Sequence, residues 1–552
     1  MADETREHGR GERHGGRLAV DVLRAHGVDA MFTLSGGHLF VLYDGCVDGG
    51  LPLVDVRHEQ TATFAAEGWA KVTRRPGCAA LTAGPGITNG VSAMTAAGMN
   101  GTPMIVLGGR APQGRWGSGS LQELDHVPIV ASVVKRAATA LGPEAIVTEV
   151  HAALMAARTP HRGPAFVDIP LDGFWAADVE IPVVDVPSVD DALRGPAPDS
   201  DDVAEVARLV AEADRPVLIS GGDVFWSEAE ASMVTWAEAA RVPVFVNGMG
   251  RGTIPADHRL AFSRTRSTAL KRADLVLVAG TRLDFRLGFG RFGDARVVHL
   301  CDSPGEVSAG ATLAASTAGD LRATFDALAE SAGDGARRRG DWIATLRDAE
   351  DAARAGDVEL LTTSVDPIKP TRIYGELCRR LARDAIVIGD GGDFVSYAGK
   401  YVDSFNPGSF LDPGPFGCLG MGPGYALAAG RAHPDRQVVV LFGDGAVGFA
   451  LGDFDTLVRH GTDCVIVIGN NGIWGLEKHP MRQIFGYDVV AELRPGTRYD
   501  EVMVALGGAG ECVDRAAGIG EALDRGFAHR GPYVVNVLTD PEDAYPRSSN
   551  LA

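Results

Sequence analysis

The sequence predicts an α/β protein made of three doubly wound, parallel-sheet domains. Short β-branched runs alternate with Ala-rich amphipathic stretches in three blocks of the chain, and Gly clusters follow many of the runs. This alternation is typical of parallel strands joined by crossover helices. The length of 552 residues also fits three domains at roughly 150 residues each. Because such sheets bind ligands at the carboxyl ends of their strands, we expect the functional site in the loops that follow the runs.

The strand candidates follow from short apolar, β-branched runs. Block one has Ala30–Leu34, Leu53–Val56, Cys78–Thr82, Met104–Leu107 and Ala165–Ile169; block two has Pro216–Ile219, Val242–Val246, Leu275–Val278 and Val297–Leu300; block three has Ala385–Ile388, Val438–Phe442, Cys464–Ile468 and Tyr533–Val537. We predict domains at residues 17–182, 200–335 and 370–540, with a linker at 336–369. A disordered tail is expected at 1–16, and a C-terminal tail or lid at 541–552.

The composition excludes several classes of function. The formal charge of −20 argues against non-specific nucleic-acid binding, which needs a basic surface. No apolar run reaches the roughly 18 residues of a membrane span, and the polar N-terminus lacks the apolar core of a secretory signal. The seven cysteines are scattered without C-x-x-C spacing, so a reducing cytoplasm is the expected compartment.

One segment is basic against this acidic background. Residues 251–300 carry ten Lys and Arg and four Asp, a balance of 10 − 4 = +6. One interpretation is a solvated helix face with ion pairs. The other is a site for a phosphate-rich ligand, because an acidic protein must concentrate positive potential locally to hold one.

Two loops in block three have the composition of a magnesium and diphosphate site. The run Val438–Phe442 leads directly into Gly443-Asp444-Gly445-Ala446, and the next apolar run ends in Asn470-Asn471-Gly472. Carboxylate and amide oxygens are ligands that Mg²⁺ accepts, usually together with substrate phosphates. Glycines allow close backbone approach to a diphosphate, and a following helix N-terminus favours the anion. Either loop alone is an ordinary turn sequence, but the pair at this spacing predicts the site.

These loops, with Leu427-Ala428 and Pro434 before them, resemble the signature of the thiamine-diphosphate enzymes typified by acetohydroxyacid synthase and pyruvate decarboxylase. The resemblance covers about residues 15–545. It implies that Asp444, Asn471 and the carbonyl of Ile473 ligate Mg²⁺, and that Gly443 to Ala446 contact the cofactor diphosphate. It also implies a pyrimidine-binding domain at 17–182, a nucleotide-binding middle domain and a diphosphate-binding domain at 370–540.

The resemblance extends to four further cofactor contacts. Glu59 would hydrogen-bond the pyrimidine ring and drive its 4′-amine into the imino form. The Gly-rich loop that contains Gly84 would close over the thiazolium. The carbonyl of Leu419 would accept from the 4′-amine, and Met421 would force the two rings into a V shape. Family members pair so that Glu59 of one chain meets the Asp444 domain of another, which implies a homodimer or homotetramer.

Within the family, the middle block resembles oxalyl-CoA decarboxylase and, more closely, 2-hydroxyacyl-CoA lyase. This resemblance implies ADP in the middle domain and a coenzyme A thioester as substrate. The residues at comparable positions for ADP are Arg162, Gly221, Arg282 and Asp302. Those assigned to the phosphates of coenzyme A are Arg264, Arg266 and Lys400.

We therefore predict a lyase that cleaves the C1–C2 bond of a 2-hydroxyacyl-CoA to formyl-CoA and an aldehyde or ketone, reversibly. Glu477, six residues after Asn471, is assigned to removal of the 2-hydroxyl proton. Gln122 and His38 are assigned to orienting the substrate.

Three alternatives stay open. A 2-ketoacid carboligase resembling acetohydroxyacid synthase would need a small pocket and usually carries FAD in its middle domain. An oxalyl-CoA decarboxylase is disfavoured, because Leu121-Gln122 stands where that enzyme has Tyr-Glu. A non-catalytic nucleotide-binding relative is disfavoured by the presence of Glu59, Asp444 and Asn471.

Overall fold

The computed structural model describes residues 14–176, 194–331 and 334–545. Within them the chain forms three sheets, and every strand pairing is parallel. The predicted fold class is therefore confirmed. Most of the expected N-terminal tail at 1–16, and residues 546–552 of the expected C-terminal lid, lie outside the described residues.

The N-terminal sheet has six strands in the order β2-β1-β3-β4-β6-β5. The strands are β1 (Met31–Thr33), β2 (Leu53–Asp55), β3 (Gly77–Leu81), β4 (Met104–Arg110), β5 (Arg136–Thr139) and β6 (Pro164–Pro170). Its helices are Gly15–Ala25, Phe40–Gly49, Glu59–Thr73, Pro85–Met99, Val127–Val130, Pro143–Arg158 and Leu171–Trp175. Strands β3, β4 and β6 are buried along their whole length, as expected for a parallel sheet covered by helices.

The central sheet has five strands in the order β11-β10-β9-β7-β8. The strands are β7 (Pro216–Ser220), β8 (Val244–Val246), β9 (Leu275–Ala279), β10 (Arg296–Cys301) and β11 (Ala315–Ala318). Its helices are Ser200–Glu212, Gly222–Trp226, Glu230–Ala240, Arg266–Arg272 and Leu321–Glu330, and the long helix Gly340–Thr362 follows.

The C-terminal sheet has six strands in the order β13-β12-β14-β15-β17-β16. The strands are β12 (Ile386–Asp390), β13 (Phe410–Leu411), β14 (Val438–Gly443), β15 (Cys464–Asn470), β16 (Ala509–Val513) and β17 (Pro532–Leu538). The helices of this part of the chain are Pro370–Leu377, Gly392–Tyr401, Gly422–Ala432, Asp444–Val447, Phe454–Arg459, Gly475–Phe485, Tyr499–Ala505 and Ile519–Ala528.

Four strands were not predicted, and all four lie at sheet edges: β5, β11, β13 and β16. Most residues of β5, β11 and β16 are only partly buried, and β13 has two residues. An edge strand covers less apolar surface than a central one, so its sequence carries a weaker hydrophobic run. The sequence pattern therefore finds the centre of each sheet better than its rim.

The chain forms two compact units, one of residues 1–192 with 414–428 and the other of 193–413 with 429–552. In the first unit, Tyr425 packs against the helix Glu59–Thr73. Lys71 donates to the Tyr425 hydroxyl at 2.8 Å, and a Cβ on Gly68 would lie 2.9 Å from the Tyr425 ring. The domain boundaries given above stay predictions. Across the described ranges, no helix is both long and apolar enough to cross a membrane.

Candidate active site

Asp444 joins the two loops that the sequence assigned to magnesium. Strands β14 and β15 are neighbours, with Gly443 opposite Gly469, so both loops leave the same edge of the sheet. Asp444 is 3% exposed. Its Oδ2 accepts from the Gly472 N–H at 2.8 Å, and its Oδ1 accepts from the Gly445 N–H at 3.1 Å.

The donor set at this edge fits a hard divalent cation. Burial raises the pKa of Asp444 to about 6, although the Gly472 and Gly445 N–H groups act in the opposite direction. A bound cation would provide the charge that compensates a buried carboxylate. The Asn471 Oδ1 accepts from the Ile473 N–H at 3.2 Å, so the second loop also presents oxygen. Oxygen ligands are those that Mg²⁺ prefers. The assignment of Asp444, Asn471 and Ile473 as ligands stays a prediction.

The two glycines beside Asp444 have different surroundings. A Cβ on Gly445 would lie 2.6 Å from the Trp474 ring, so glycine is required there by packing. Among the residues that the structure describes, a Cβ on Gly443 would have only the Gly391 oxygen within reach, at 4.0 Å. Of these two glycines Gly443 has the open face, and the diphosphate contacts assigned to Gly443, Gly445 and Ala446 stay predictions. Ala446 packs on the same strand end, and an ideal Cβ on Gly391 would lie 2.7 Å from its methyl.

Glu477 lies in the first turn of the helix Gly475–Phe485, two residues after its start. Its side chain is exposed, and its N–H donates to the Trp474 carbonyl at 3.2 Å. The structure therefore places an acid shortly after the second metal loop, as the spacing predicts. Its catalytic role stays a prediction.

Glu59 begins the helix Glu59–Thr73 and is 8% exposed. Its Oε2 accepts from the Asn89 Nδ2 at 3.0 Å. The preceding His58 caps the helix by accepting from the Gln60 N–H. A short polar contact with Asn89 thus holds a nearly buried carboxyl group at a helix start.

Gly84, which belongs to the Gly-rich loop, lies against Gln122, which belongs to a later loop of the same domain. Gly84 has φ +61°, a conformation that L side chains rarely adopt, and Gln122 has φ +57°. A Cβ on Gly84 would lie 3.1 Å from the Cβ of Gln122. Glycine is therefore required at residue 84 both by its backbone angle and by this contact.

His38 lies beside the same loop. It is 6% exposed, its Nδ1 is 3.3 Å from the Thr82 Oγ1, and it hydrogen-bonds the backbone of Leu121. Burial lowers the pKa of His38; the Leu121 bond opposes this, and the nearby His126 adds to it. His38, Gly84 and Gln122, which the sequence predicted separately, are thus gathered at one edge of the N-terminal sheet.

The loop before the helix Gly422–Ala432 reaches the start of the Glu59 helix. The Leu419 carbonyl accepts from the Gln60 Nε2 at 3.2 Å, and its second lone pair remains for a further donor. Met421 is fully buried directly before the helix. The cofactor contacts assigned to Leu419 and Met421 stay predictions.

Three of the four residues assigned to ADP lie at the carboxyl edge of the central sheet. Gly221, Arg282 and Asp302 follow β7, β9 and β10, which are neighbours. A Cβ on Gly221 would lie 2.4 Å from the Gly280 oxygen, and Arg282 pairs with Glu306 at 2.9 Å. Arg162 lies before β6 in the first unit and is buried.

The basic segment 251–300 is largely neutralised by ion pairs. Its paired arginines, each with its acid, are Arg259 with Glu238, Arg264 with Asp357, Arg282 with Glu306, Arg286 with Asp284 and Arg296 with Glu212. This favours the ion-pair interpretation for these five positions over a phosphate site.

The assignment of coenzyme A phosphates to this region has lost its support. Arg264 and Lys400 both bind Asp357, at 2.9 Å and 2.7 Å, so an internal acid already compensates their charge. Arg266 is partly buried, and burial lowers its pKa to about 10, with Arg251 contributing.

Sequence reasoning missed Asn89 and His126, which contact Glu59 and Gly84 respectively. Asn89 lies in the Gly-rich stretch that contains Gly84 but was given no role of its own, and His126 lies in a stretch without a recognisable motif. The one available signal was Asp168, a carboxylate inside the otherwise apolar run of β6, which binds His126.

Comparison with known proteins identifies three matching family models. Residues 13–129 match the thiamine pyrophosphate enzyme N-terminal TPP binding domain, residues 203–328 match the central domain, and residues 390–537 match the C-terminal TPP binding domain. Thiamine pyrophosphate is another name for thiamine diphosphate.

Relatives match over nearly the whole chain. A probable acetolactate synthase of Mycobacterium bovis and the acetolactate synthase large subunit IlvG of Mycobacterium tuberculosis are each 54% identical, over 98% of this chain and 98% of theirs. A 2-hydroxyacyl-CoA lyase 2 of Caenorhabditis elegans is 32% identical, over 92% of this chain and 85% of its own.

The predicted 2-hydroxyacyl-CoA lyase function is wrong. The relatives with 54% identity carry the name acetolactate synthase, whereas the lyase is only 32% identical. The comparisons support neither formyl-CoA and acyl-CoA chemistry nor ADP. Of the alternatives, the 2-ketoacid carboligase has the better support.

Proposed function

The chain belongs to the thiamine pyrophosphate enzyme family, and on that premise we propose that it is a carboligase that joins two 2-ketoacids, as an acetolactate synthase does. The observation that carries this proposal is the 54% identity to acetolactate synthases over 98% of both chains. The residues support it, because the N-terminal domain provides Glu59 and the strand ends of the C-terminal sheet provide Asp444 and Asn471, which are the residue types that the cofactor chemistry needs.

Thiamine diphosphate, when bound, supplies a nucleophilic carbon that adds to a carbonyl and stores the electron pair after a carbon–carbon bond is broken. Asp444, Asn471 and the Ile473 carbonyl would hold its Mg²⁺, and the open face of Gly443 would accept its diphosphate. Support comes from the burial of Asp444 and from the oxygen-only donor set.

Glu59 would exchange a proton with the pyrimidine ring through one of its carboxyl oxygens. Asn89 donates to Oε2, and Oε1 accepts no hydrogen bond from the residues that the structure describes. One oxygen therefore fixes the carboxyl group and the other remains for proton exchange with a ligand. The near-complete burial of Glu59 keeps water from competing for that proton.

His38 and Gln122 would orient the 2-ketoacid. The lowered pKa of His38 keeps its imidazole neutral at neutral pH, so it offers hydrogen bonds without a full charge. Gln122 adds one amide donor and one carbonyl acceptor. Glu477, exposed at a helix start, would take part in proton transfer near the metal loops.

Three further features belong to the same proposal. The central sheet holds a nucleotide at its carboxyl edge, near Gly221 and Asp302, and Arg282, which pairs with Glu306, is not assigned to its phosphates. A yellow colour of the purified protein would identify the nucleotide as FAD rather than ADP. The protein is a homodimer or homotetramer in which Glu59 of one chain serves Asp444 of another. Its compartment is the cytoplasm, since all seven cysteines are free thiols.

The test is incubation of the purified protein with thiamine diphosphate, Mg²⁺ and pyruvate, with acetolactate measured by mass spectrometry. Parallel reactions contain a panel of 2-hydroxyacyl-CoAs or oxalyl-CoA, and formyl-CoA is measured. Acetolactate from the wild type and none from Glu59→Gln supports the carboligase. Formyl-CoA without acetolactate would overturn it.

A further inference from the structure

A buried histidine links the carboxyl ends of three neighbouring strands. His126 has no solvent exposure. Its Nε2 accepts from the N–H of Gly84, after β3, at 2.9 Å, and its Nδ1 lies 2.9 Å from the Oδ2 of Asp168 on β6. Arg110, the last residue of β4, donates to the same Oδ2 at 3.1 Å. Strands β3, β4 and β6 are adjacent in the sheet, so these contacts fasten three strand ends at one point.

The contacts of His126 allow a single tautomer. The Gly84 N–H is a donor, so Nε2 must present its lone pair, and the proton must lie on Nδ1, where Asp168 accepts it. Arg110 compensates the charge of Asp168, and its guanidinium stacks 3.7 Å above the Trp116 ring. The imidazole is therefore locked as a hydrogen-bond acceptor toward the Gly-rich loop, an arrangement like that of outer-shell groups that orient a ligand.

The residue that lies against Gly84 has a strained backbone. Gln122 is a non-glycine residue at φ +57°, a left-handed conformation that persists only where the surroundings enforce it. It lies against Gly84, which itself has φ +61°. His126 follows Gln122 by four residues, so its bond to Gly84 closes the loop that carries Gln122 onto the Gly-rich loop.

We propose that His126 is a positioning residue of the carboligation reaction: through Gly84 it sets the Gly-rich loop and Gln122 against the cofactor and the 2-ketoacid. This inference rests on the function proposed above. His126 itself touches neither ligand, because it is enclosed behind the loop and its two ring nitrogens are occupied by Gly84 and Asp168.

Two substitutions separate this role from simple packing. In His126→Asn the shorter amide can reach Asp168 but not Gly84. In His126→Gln the longer amide reaches the place of Nε2, and its oxygen can accept from the Gly84 N–H. We expect kcat with pyruvate to fall about 10- to 100-fold in the Asn variant, because misplacement of about 1 Å costs up to roughly 100-fold. The Gln variant should stay within about fivefold of the wild type, although both lose thermal stability.

Amide hydrogen exchange of the cofactor-loaded enzyme measures the protection that the contact between His126 and Gly84 gives to the Gly-rich loop, and it needs no substrate. In a peptide that covers residues 82–90, the Asn variant should exchange at least about tenfold faster, and the Gln variant near the wild-type rate. Equal losses of kcat in the two variants, wild-type kcat in the Asn variant, or unchanged exchange would each overturn the inference. A wild type that forms no acetolactate overturns the proposed function instead, and the exchange contrast still decides whether His126 holds the loop.

Discussion

Replacement by alanine should have different effects at the two glycines beside Asp444: it should lower the stability of the apoprotein at Gly445 and weaken cofactor binding at Gly443. In Gly445→Ala the new methyl would meet the Trp474 ring at 2.6 Å, which is closer than real contacts allow. Overpacking of this kind costs about 1–3 kcal/mol. Gly445 lies inside the short helix Asp444–Val447, where alanine recovers at most about 1 kcal/mol. The clash therefore outweighs the helix gain, and the apoprotein should be destabilised.

Gly443→Ala is the matched substitution two residues earlier in the chain. Gly443 has φ −78°, which alanine adopts without strain, and the nearest atom to its Cβ is 4.0 Å away. The apoprotein should therefore unfold at the wild-type temperature. The methyl would instead fill the open approach assigned to the diphosphate. The two variants thus separate a packing role from a binding role at neighbouring positions.

Thermal unfolding with and without thiamine diphosphate and Mg²⁺ distinguishes them. Without ligands, the Tm of Gly445→Ala should fall by about 4–8 °C, because a clash of about 3 kcal/mol less a helix gain of about 1 kcal/mol leaves about 2 kcal/mol, at roughly 2–4 °C per kcal/mol for a domain of this size. Ligand at about 100 times its Kd adds roughly 2.7 kcal/mol to the wild type. Gly443→Ala should lose most of that increase. Wild-type stabilisation by ligand in Gly443→Ala, or an apoprotein Tm unchanged in Gly445→Ala, would refute the reasoning.

Four further outcomes are expected. Asp444→Asn should abolish Mg²⁺ binding in calorimetry because it removes the carboxylate charge, and it should also cost some stability because the amide nitrogen cannot accept from the N–H of Gly445 or Gly472; tight Mg²⁺ binding would exclude Asp444 as a ligand. Glu59→Gln should lower kcat at least about 100-fold with little change in Tm, and full activity would contradict the proton role. Asp357→Ala should cost about 3–5 kcal/mol in denaturant unfolding, since it leaves Arg264 buried without its acid; a loss below about 1 kcal/mol would count against this. Burial lowers the pKa of His26 from 6.5 to about 4. The contribution of His26 to the free energy of unfolding is therefore full above pH 6.5 and is lost as the pH falls toward 4. His26→Gln should flatten the dependence of stability on pH between these values, and an unchanged dependence would contradict the assignment.

The basic segment 251–300 shows how far composition leads and where it stops. Its balance of +6 was compatible with ion pairs or with a phosphate-rich ligand, and the resemblance of the middle block favoured coenzyme A. The acids that neutralise the segment come from elsewhere in the chain: Glu212, Glu238, Glu306 and Asp357. A charge count over one segment does not include the acidic residues that tertiary folding brings next to it.

The site residues divide in the same way. Asp444 and Asn471 were found because each follows an apolar run, and parallel strands bring such loops to one edge. His38 and Gln122 were named separately, and only the fold places both beside the Gly84 loop. His126 was not predicted at all. A lone histidine indicates no role from the sequence, and its role depends on Gly84 and Asp168, which only the fold brings to its two ring nitrogens.

The sequence by itself determined the three parallel sheets, their central strands and the cofactor chemistry, because those depend on local periodicity and on short motifs. The tertiary structure decided four of the six edge strands, the pairing of the basic segment, the reason for glycine at residue 445 and the enclosure of His126. Each of these depends on contacts between residues far apart in the chain, whose approach is set by packing that no local pattern encodes.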